Sequence, residues 1–318
     1  MRQAFVLLLM CLLPILGQAQ TFTVLQRPMI LNTTEGQLFG TLLLPKTTEK
    51  VPVVLLIAGS GPTDRNGNNP VGGKNDSLKL LAEHLAQHGI ASLRYDKRGI
   101  AASQAATPNE RNLSVEKYAA DAVAWSAKLK ADGRFSTLTL VGHSEGALIA
   151  TLAAPQAGAD AMVSIAGIGR PIEQVLREQL QSRLPKPLLP QALWTLEQLQ
   201  AGQPVAQVPD DLQVLFRPSV QPYLMSLLHQ DPAKAFAALQ IPALILQGSH
   251  DMQVDKVDAE ALQAAKPNAE LRLISGMNHV LRIVAADPRQ QIASYNNPGL
   301  PLARELTDAL VEFILAVQ

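Results

Sequence analysis

The chain holds a single cysteine in 318 residues, Cys11, and it lies within the apolar stretch Phe5 to Leu16. Once that stretch is removed no cysteine remains, which excludes disulfides and a cysteine nucleophile. Net charge is lacking as well, because 27 basic residues balance 27 acidic ones. There is no basic stripe and no basic patch interleaved with aromatics, so nucleic-acid binding has no support. Neither a metal-ligand cluster nor a dinucleotide glycine fingerprint occurs, and no metal or cofactor is expected. Asp64-Arg65-Asn66-Gly67-Asn68 superficially resembles a calcium loop. Its glycine falls at the fourth position instead of the sixth, and Asn75 stands at the twelfth, where a glutamate is needed.

A long hydrophobic run is also missing. Phe5 to Leu16 is interrupted by Pro14 and is too short to span a bilayer comfortably. Arg2 precedes it and Gly17-Gln18-Ala19 follows, so residues 1–19 read as a signal peptide cleaved after Ala19. A lipid anchor needs a cysteine after a small residue, whereas Cys11 follows Met10. The expectation is an exported protein, periplasmic or secreted, with no stable membrane anchor. Residues 20–318 fit one large domain carrying an insertion.

What is present is an alternation of apolar strands and amphipathic helices. Thr21 to Pro45 reads as extended antiparallel structure, and Val51 to Ala58 as a strand buried on both faces. Ser77 to His88 is amphipathic, Ala91 to Tyr95 is a strand, and Ser114 caps a helix reaching about Ala131. Such alternation predicts an α/β fold with a mainly parallel sheet flanked by helices. Between 167 and 240 the pattern changes, and ten prolines between Pro171 and Pro242 divide the region into short helices. It reads as a helical cap inserted over the active edge, with His229 as a candidate to line the pocket.

The most specific signal is Gly142-His143-Ser144-Glu145-Gly146 at the end of the apolar run Thr137 to Val141. A serine between a strand and a helix is held above the sheet edge, and flanking glycines let neighbouring chain pass without a Cβ clash. Partners follow in the order nucleophile, acid, base. Asp251 lies after the strand Ile241 to Gly248, and His279 after the strand Ala269 to Ile274. Ser144 is the candidate nucleophile, His279 the base and Asp251 the acid, with Asp255 and Asp258 as rivals further from the strand end. One oxyanion donor is the backbone N–H of Glu145, and the other comes from the loop after Val51 to Ala58.

These residues carry a family resemblance. Gly59-Ser60-Gly61-Pro62-Thr63-Asp64-Arg65-Asn66-Gly67-Asn68, Arg94-Tyr95-Asp96-Lys97-Arg98-Gly99, the serine pentapeptide, Gly248-Ser249-His250-Asp251 and Asn278-His279 form one set. With it the chain from about Leu38 to Val317 resembles the α/β-hydrolase superfamily, and within it bacterial carboxylesterases related to the serine aminopeptidase-like group. The resemblance implies that Gly59-Ser60-Gly61 stands where relatives carry His-Gly-x. The Ser60 N–H then donates to the oxyanion, with Gly59 or Gly61 as neighbouring alternatives. It implies that Asp64, Arg65, Asp96, Lys97 and Arg98 tie two loops behind that hole. It also implies a serine hydrolase of small to medium neutral acyl or aryl esters, with a peptidase or amidase using the same triad as the alternative. From a different class, a non-catalytic binding protein on the same fold remains open. The family pattern Arg-Gly-x-Gly-x-Ser is broken here by Ala101.

Overall fold

A computed structural model describes residues 22–317. The signal peptide read at residues 1–19 lies outside the described residues.

Eight strands form one sheet in the order β1-β2-β4-β3-β5-β6-β7-β8. β1 (Val24–Thr33) and β2 (Gly36–Pro45) make an antiparallel hairpin, and β2 is antiparallel to β4 (Ala91–Tyr95). All remaining pairs are parallel, through β3 (Val51–Ile57), β5 (Phe135–His143), β6 (Ala161–Ile165), β7 (Ala243–Gly248) and β8 (Glu270–Ile274). β3 shows why the central strands are apolar without interruption. Val53, Leu55 and Ile57 enter one core, while Val54 and Leu56 enter the other. Side chains that alternate across a pleat must all be apolar when helices cover both faces.

One face is covered by α1 (Ser77–Gln87) and the C-terminal α11 (Arg304–Ala316), through Leu81, Leu85, Leu306 and Leu310. The other is covered by α2 (Val115–Lys130), α3 (Glu145–Ala157) and α9 (Lys256–Ala265), with Trp125, Ile149 and Leu262 in the packing. Ser114 caps α2 by accepting a hydrogen bond from the Lys117 N–H at 3.3 Å.

Between β6 and β7 lie α4 (Ile172–Arg183), α5 (Leu189–Gln200), α6 (Gln213–Phe216), α7 (Gln221–Leu228) and α8 (Pro232–Ala237). Their apolar side chains, among them Leu196, Leu199, Phe216 and Phe236, are buried in the core on the α2–α3 face. α7 packs on α2, and α8 packs on α3 and α9. A buried carboxylate fixes the entry to the insertion. Asp258 of α9 accepts from the Gly169 and Arg170 amides at 3.1 and 3.0 Å and pairs with the Arg170 guanidinium. α10 (Pro288–Ser294) follows β8 and precedes Tyr295.

Candidate active site

β5 ends in a tight turn that depends on the two glycines of the pentapeptide. Ser144 has φ 55° and ψ −124°, a conformation costly for a residue with a Cβ. The turn is held by the Ser144 N–H donating to the Ile165 carbonyl at 2.8 Å and the Ala147 N–H donating to the Ser144 carbonyl at 2.9 Å. A Cβ on Gly142 would sit 2.1 Å from the Gly146 oxygen, and one on Gly146 would sit 2.2 Å from the Ile57 oxygen. Both glycines are therefore required by backbone contact. Ser144 occupies the N-cap of α3, so the Glu145 N–H, in the first turn, has no carbonyl one turn back to bond.

The loops after β7 and β8 meet this turn. The His279 Nδ1–H donates to Asp251 Oδ2 at 2.8 Å, which leaves Nε2 as the ring nitrogen free to serve Ser144. Asp251 Oδ1 accepts from the Gln253 and Val254 amides at 2.7 and 3.0 Å. Burial alone would raise the Asp251 pKa, but the facing imidazole and these amides outweigh it and hold the carboxyl below its ordinary value. His279 is carried by a tight turn in which the Arg282 N–H donates to Asn278 Oδ1 at 3.0 Å and Leu281 adopts φ 66°.

His143 supports His279 from the other side. Its Nε2–H donates to the His279 carbonyl at 2.8 Å, and the two rings lie 4.8 Å apart. Burial, and then the neighbouring His279, pull the His143 pKa down to about 3, so the ring is neutral near pH 7.

Ser144, His279, Gly59 and Ser60 line one small pocket of about 120 Å³, with Asn75, Gln253 and Tyr295 among its walls. A Cβ on Gly59 would lie 3.2 Å from Ser144 Cβ, so this loop passes directly against the serine. The Ser60 N–H donates to no acceptor among the described residues. A wider groove of about 900 Å³ shares Gly72, Gln253 and Tyr295 with this pocket. It is bordered by Val71, Met252 and Ile292, and by Ser182 and Arg183 at the end of α4.

Several expected roles change in the structure. No residue of the insertion lines the small pocket, and only the end of α4 borders the groove. His229 is exposed, bonded to the Met225 carbonyl and lines neither cavity; it follows α7, which packs on α2. Asp258, a rival acid by sequence, is engaged by the insertion, and Asp255 caps α9 through the Val257 amide. Arg65 does tie the two loops, donating to Asp96 Oδ2 at 2.7 Å, and Lys97 reaches the Gly59 carbonyl. Arg98 instead points to α2, where it pairs with Asp121 at 2.6 Å and also with Glu35. Asp64 and Asn68 organise their own loop. Asp64 Oδ1 accepts from the Asn66 and Asn68 amides, and Asn68 Oδ1 from the Asn75 and Asp76 amides. Among the described residues, no group of three or more His, Cys, Asp or Glu could hold a metal ion.

Gln253 and Tyr295 were invisible in the sequence. Gln253 Nε2 donates to the Tyr295 hydroxyl at 3.0 Å, a bond across 42 positions with no local pattern to betray it. Burial raises the Tyr295 pKa to about 12, so its hydroxyl stays protonated at the pocket wall.

A mostly parallel sheet, with a strained serine after β5 and an acid and histidine after β7 and β8, defines an α/β hydrolase. More specifically, the chain belongs to the family described as serine aminopeptidase, S33, whose profile matches residues 73–283. It is 31% identical over 257 residues to esterase EstD of Thermotoga maritima. That alignment covers 79% of this chain and 59% of EstD, so the chain spans less than two thirds of that relative. Among solved structures it resembles the ferulic acid complex of Est1E from Butyrivibrio proteoclasticus. The TM-score is 0.63 at 18% identity, covering 91% of this chain and 98% of the other. The esterase domain of a Rhodothermus marinus protein follows with a TM-score of 0.57 at 16% identity, covering 92% and 100%. At these identities the solved structures speak for the fold alone.

Proposed function

We propose that the protein is a carboxylic-ester hydrolase working through an acyl-enzyme on Ser144. The observation that carries this reading is the 2.8 Å bond from His279 Nδ1 to Asp251 in the pocket that also presents the strained Ser144. His279 Nε2 takes the Ser144 proton as the hydroxyl attacks the ester carbonyl, then returns it to the departing alcohol. The tetrahedral oxyanion is received by the Ser60 and Glu145 N–H groups. Water activated at His279 then releases the acid. The Asp251 carboxylate fixes the imidazole tautomer and stabilises the imidazolium without taking its proton. The 120 Å³ pocket suits one small substituent, and the groove takes the remainder of a small to medium neutral acyl or aryl ester.

The family description favours a second reading, an aminopeptidase with the same triad. A free amino terminus is best held by a carboxylate in the pocket, and no acidic residue lines either the small pocket or the groove. The Glu145 carboxylate is turned away toward Lys97, 3.9 Å off, and does not line the pocket. That favours ester over peptide.

The test uses p-nitrophenyl acetate, butyrate and octanoate with the wild-type protein and Ser144→Ala, beside aminoacyl p-nitroanilides. Ester hydrolysis that falls about 10³-fold or more in the variant supports the proposal. Turnover of the anilides alone would replace it with the peptidase reading. A folded wild type inert to every substrate and to a fluorophosphonate probe would leave a binding protein. The proposed export is checked separately, by the N-terminal sequence of protein recovered from the periplasm. A chain starting at Gln20 is the expected product.

A further inference from the structure

Behind the oxyanion loop sits a cation that the triad does not use. The Lys97 side chain is 1% exposed, follows β4 and donates from Nζ to the Gly59 carbonyl. The ammonium lies 3.9 Å from Glu145 Oε1 and 5.4 Å from the centre of the Tyr118 ring. At that distance Lys97 and Glu145 are an ion pair without a direct hydrogen bond, and the buried Tyr223 hydroxyl lies against the same carboxylate. A buried ammonium is costly unless it is paired, and replacing such a pair with apolar groups is often harmless to stability. Its two polar contacts are with the Gly59 carbonyl, in the peptide that carries the Ser60 N–H, and with Glu145, whose own N–H is the other proposed oxyanion donor.

We propose that Lys97 is a positioning residue for catalysis, whose ammonium polarises and aims the Gly59–Ser60 peptide so that the Ser60 N–H meets the oxyanion. This rests on the ester hydrolase reading. In a trans peptide the carbonyl and the following N–H point in opposite directions, and no cis bond occurs among the described residues. The Gly59 oxygen faces Lys97, so the Ser60 N–H faces away from it, on the side of the pocket that Ser60 lines. A positive charge on the oxygen draws electron density from the nitrogen and strengthens the N–H as a donor, an effect enlarged by the low local dielectric. The Glu145 carboxylate holds the ammonium from the far side, and its own backbone N–H is the second donor. One ion pair thereby sets the separation of the two donors, a distance to which oxyanion stabilisation is sensitive. Tyr118 and Tyr223 enclose the pair, both held protonated by burial and by the Glu145 charge.

The experiment compares Lys97→Met, Glu145→Gln and the double variant in ester hydrolysis, in affinity for a trifluoromethyl ketone that forms a tetrahedral oxyanion on the serine, and in thermal stability. Lys97→Met keeps volume but leaves Glu145 buried and unpaired, so it loses stability. The double variant removes both charges and regains it. The expected result is a kcat about tenfold lower in both Lys97→Met and the double variant, with KM within about twofold. That is a smaller loss than deleting an oxyanion donor outright. Ketone affinity should fall by the same factor. If Lys97→Met does not fold, the double variant alone decides. Recovery of kcat along with stability in the double variant overturns the proposal, as does unchanged ketone affinity. The wild-type and Ser144→Ala rates on the same esters judge the hydrolase reading independently.

Discussion

His143 illustrates how a motif residue outside the triad shapes the site. It is buried and neutral, donates to the His279 carbonyl, and titrates at about 3. The folded value lies below the unfolded one, so on acidification the unfolded chain takes up the proton first. Stability is undiminished by this group above about pH 6.5 and falls by about 1.4 kcal/mol per pH unit as pH drops toward 3. Asp251, also held below its ordinary value, adds a loss in the same direction only at more acid pH. His143→Gln keeps a donor for the carbonyl without titrating. Its urea midpoint should vary less between pH 6.5 and 4 than that of the wild type, and equal slopes would refute the assignment. Ala101 gives a second test at this scale. It keeps φ 44° where the family pattern has glycine. Ala101→Gly should therefore hold or raise the melting temperature, by up to about 1 kcal/mol of stability. A clear drop would show that the left-handed alanine carries no strain. Ser144, Asp251 and His279 were legible because each follows a recognisable strand. Lys97 was placed behind the oxyanion loop only by the family resemblance, while Gln253 and Tyr295 meet across 42 positions, which no local pattern encodes.

At the level of elements, patterning located the strands and the helices α1, α2, α3 and α9, while α10, α11 and the separate helices of the insertion went unread. α3 begins at Glu145, ahead of the apolar stretch that suggests it, because the serine turn itself is its first cap. β5 extends back to Phe135, which pairs with Val51 at the edge of the core. The insertion differs more. Its leucines looked like a lid, and they are instead consumed in packing on α2, α3 and α9. Apolar periodicity reports that a face is buried without saying against what. Asp258 is the anchor of this arrangement, fully buried and bound to two amides and a guanidinium. Asp258→Ala leaves those donors unmatched and should cost about 2–3 kcal/mol, read from denaturant midpoints. Because Asp258 stands apart from the small pocket, kcat at 25 °C should stay within about threefold of wild type. A collapse of kcat in a folded variant would return Asp258 to the catalytic set.

Across the whole molecule, the sheet brings five separated loops to one edge, and those after β3, β7 and β8, with the end of α4, form the groove. Val71, Met252 and Ile292 are exposed apolar side chains there. Small solvent-facing apolar groups concentrated beside a reactive centre point to contact with an apolar part of the substrate. Ile292→Lys should lower kcat/KM for octanoate about tenfold while acetate changes less than twofold. Equal losses on both esters would place the long chain elsewhere.

The order of the site along the chain has a consequence for biogenesis. The Ser144 turn closes on β6, whereas His279 arrives only with residues 276–282, and that loop is latched by the Ala303 N–H on the Leu281 carbonyl. A ribosome-bound chain therefore carries Ser144 before His279 is in place beside it. Chemical competence is withheld until the C-terminal helix docks, and a truncation before α11 should be a silent protein rather than a slow one.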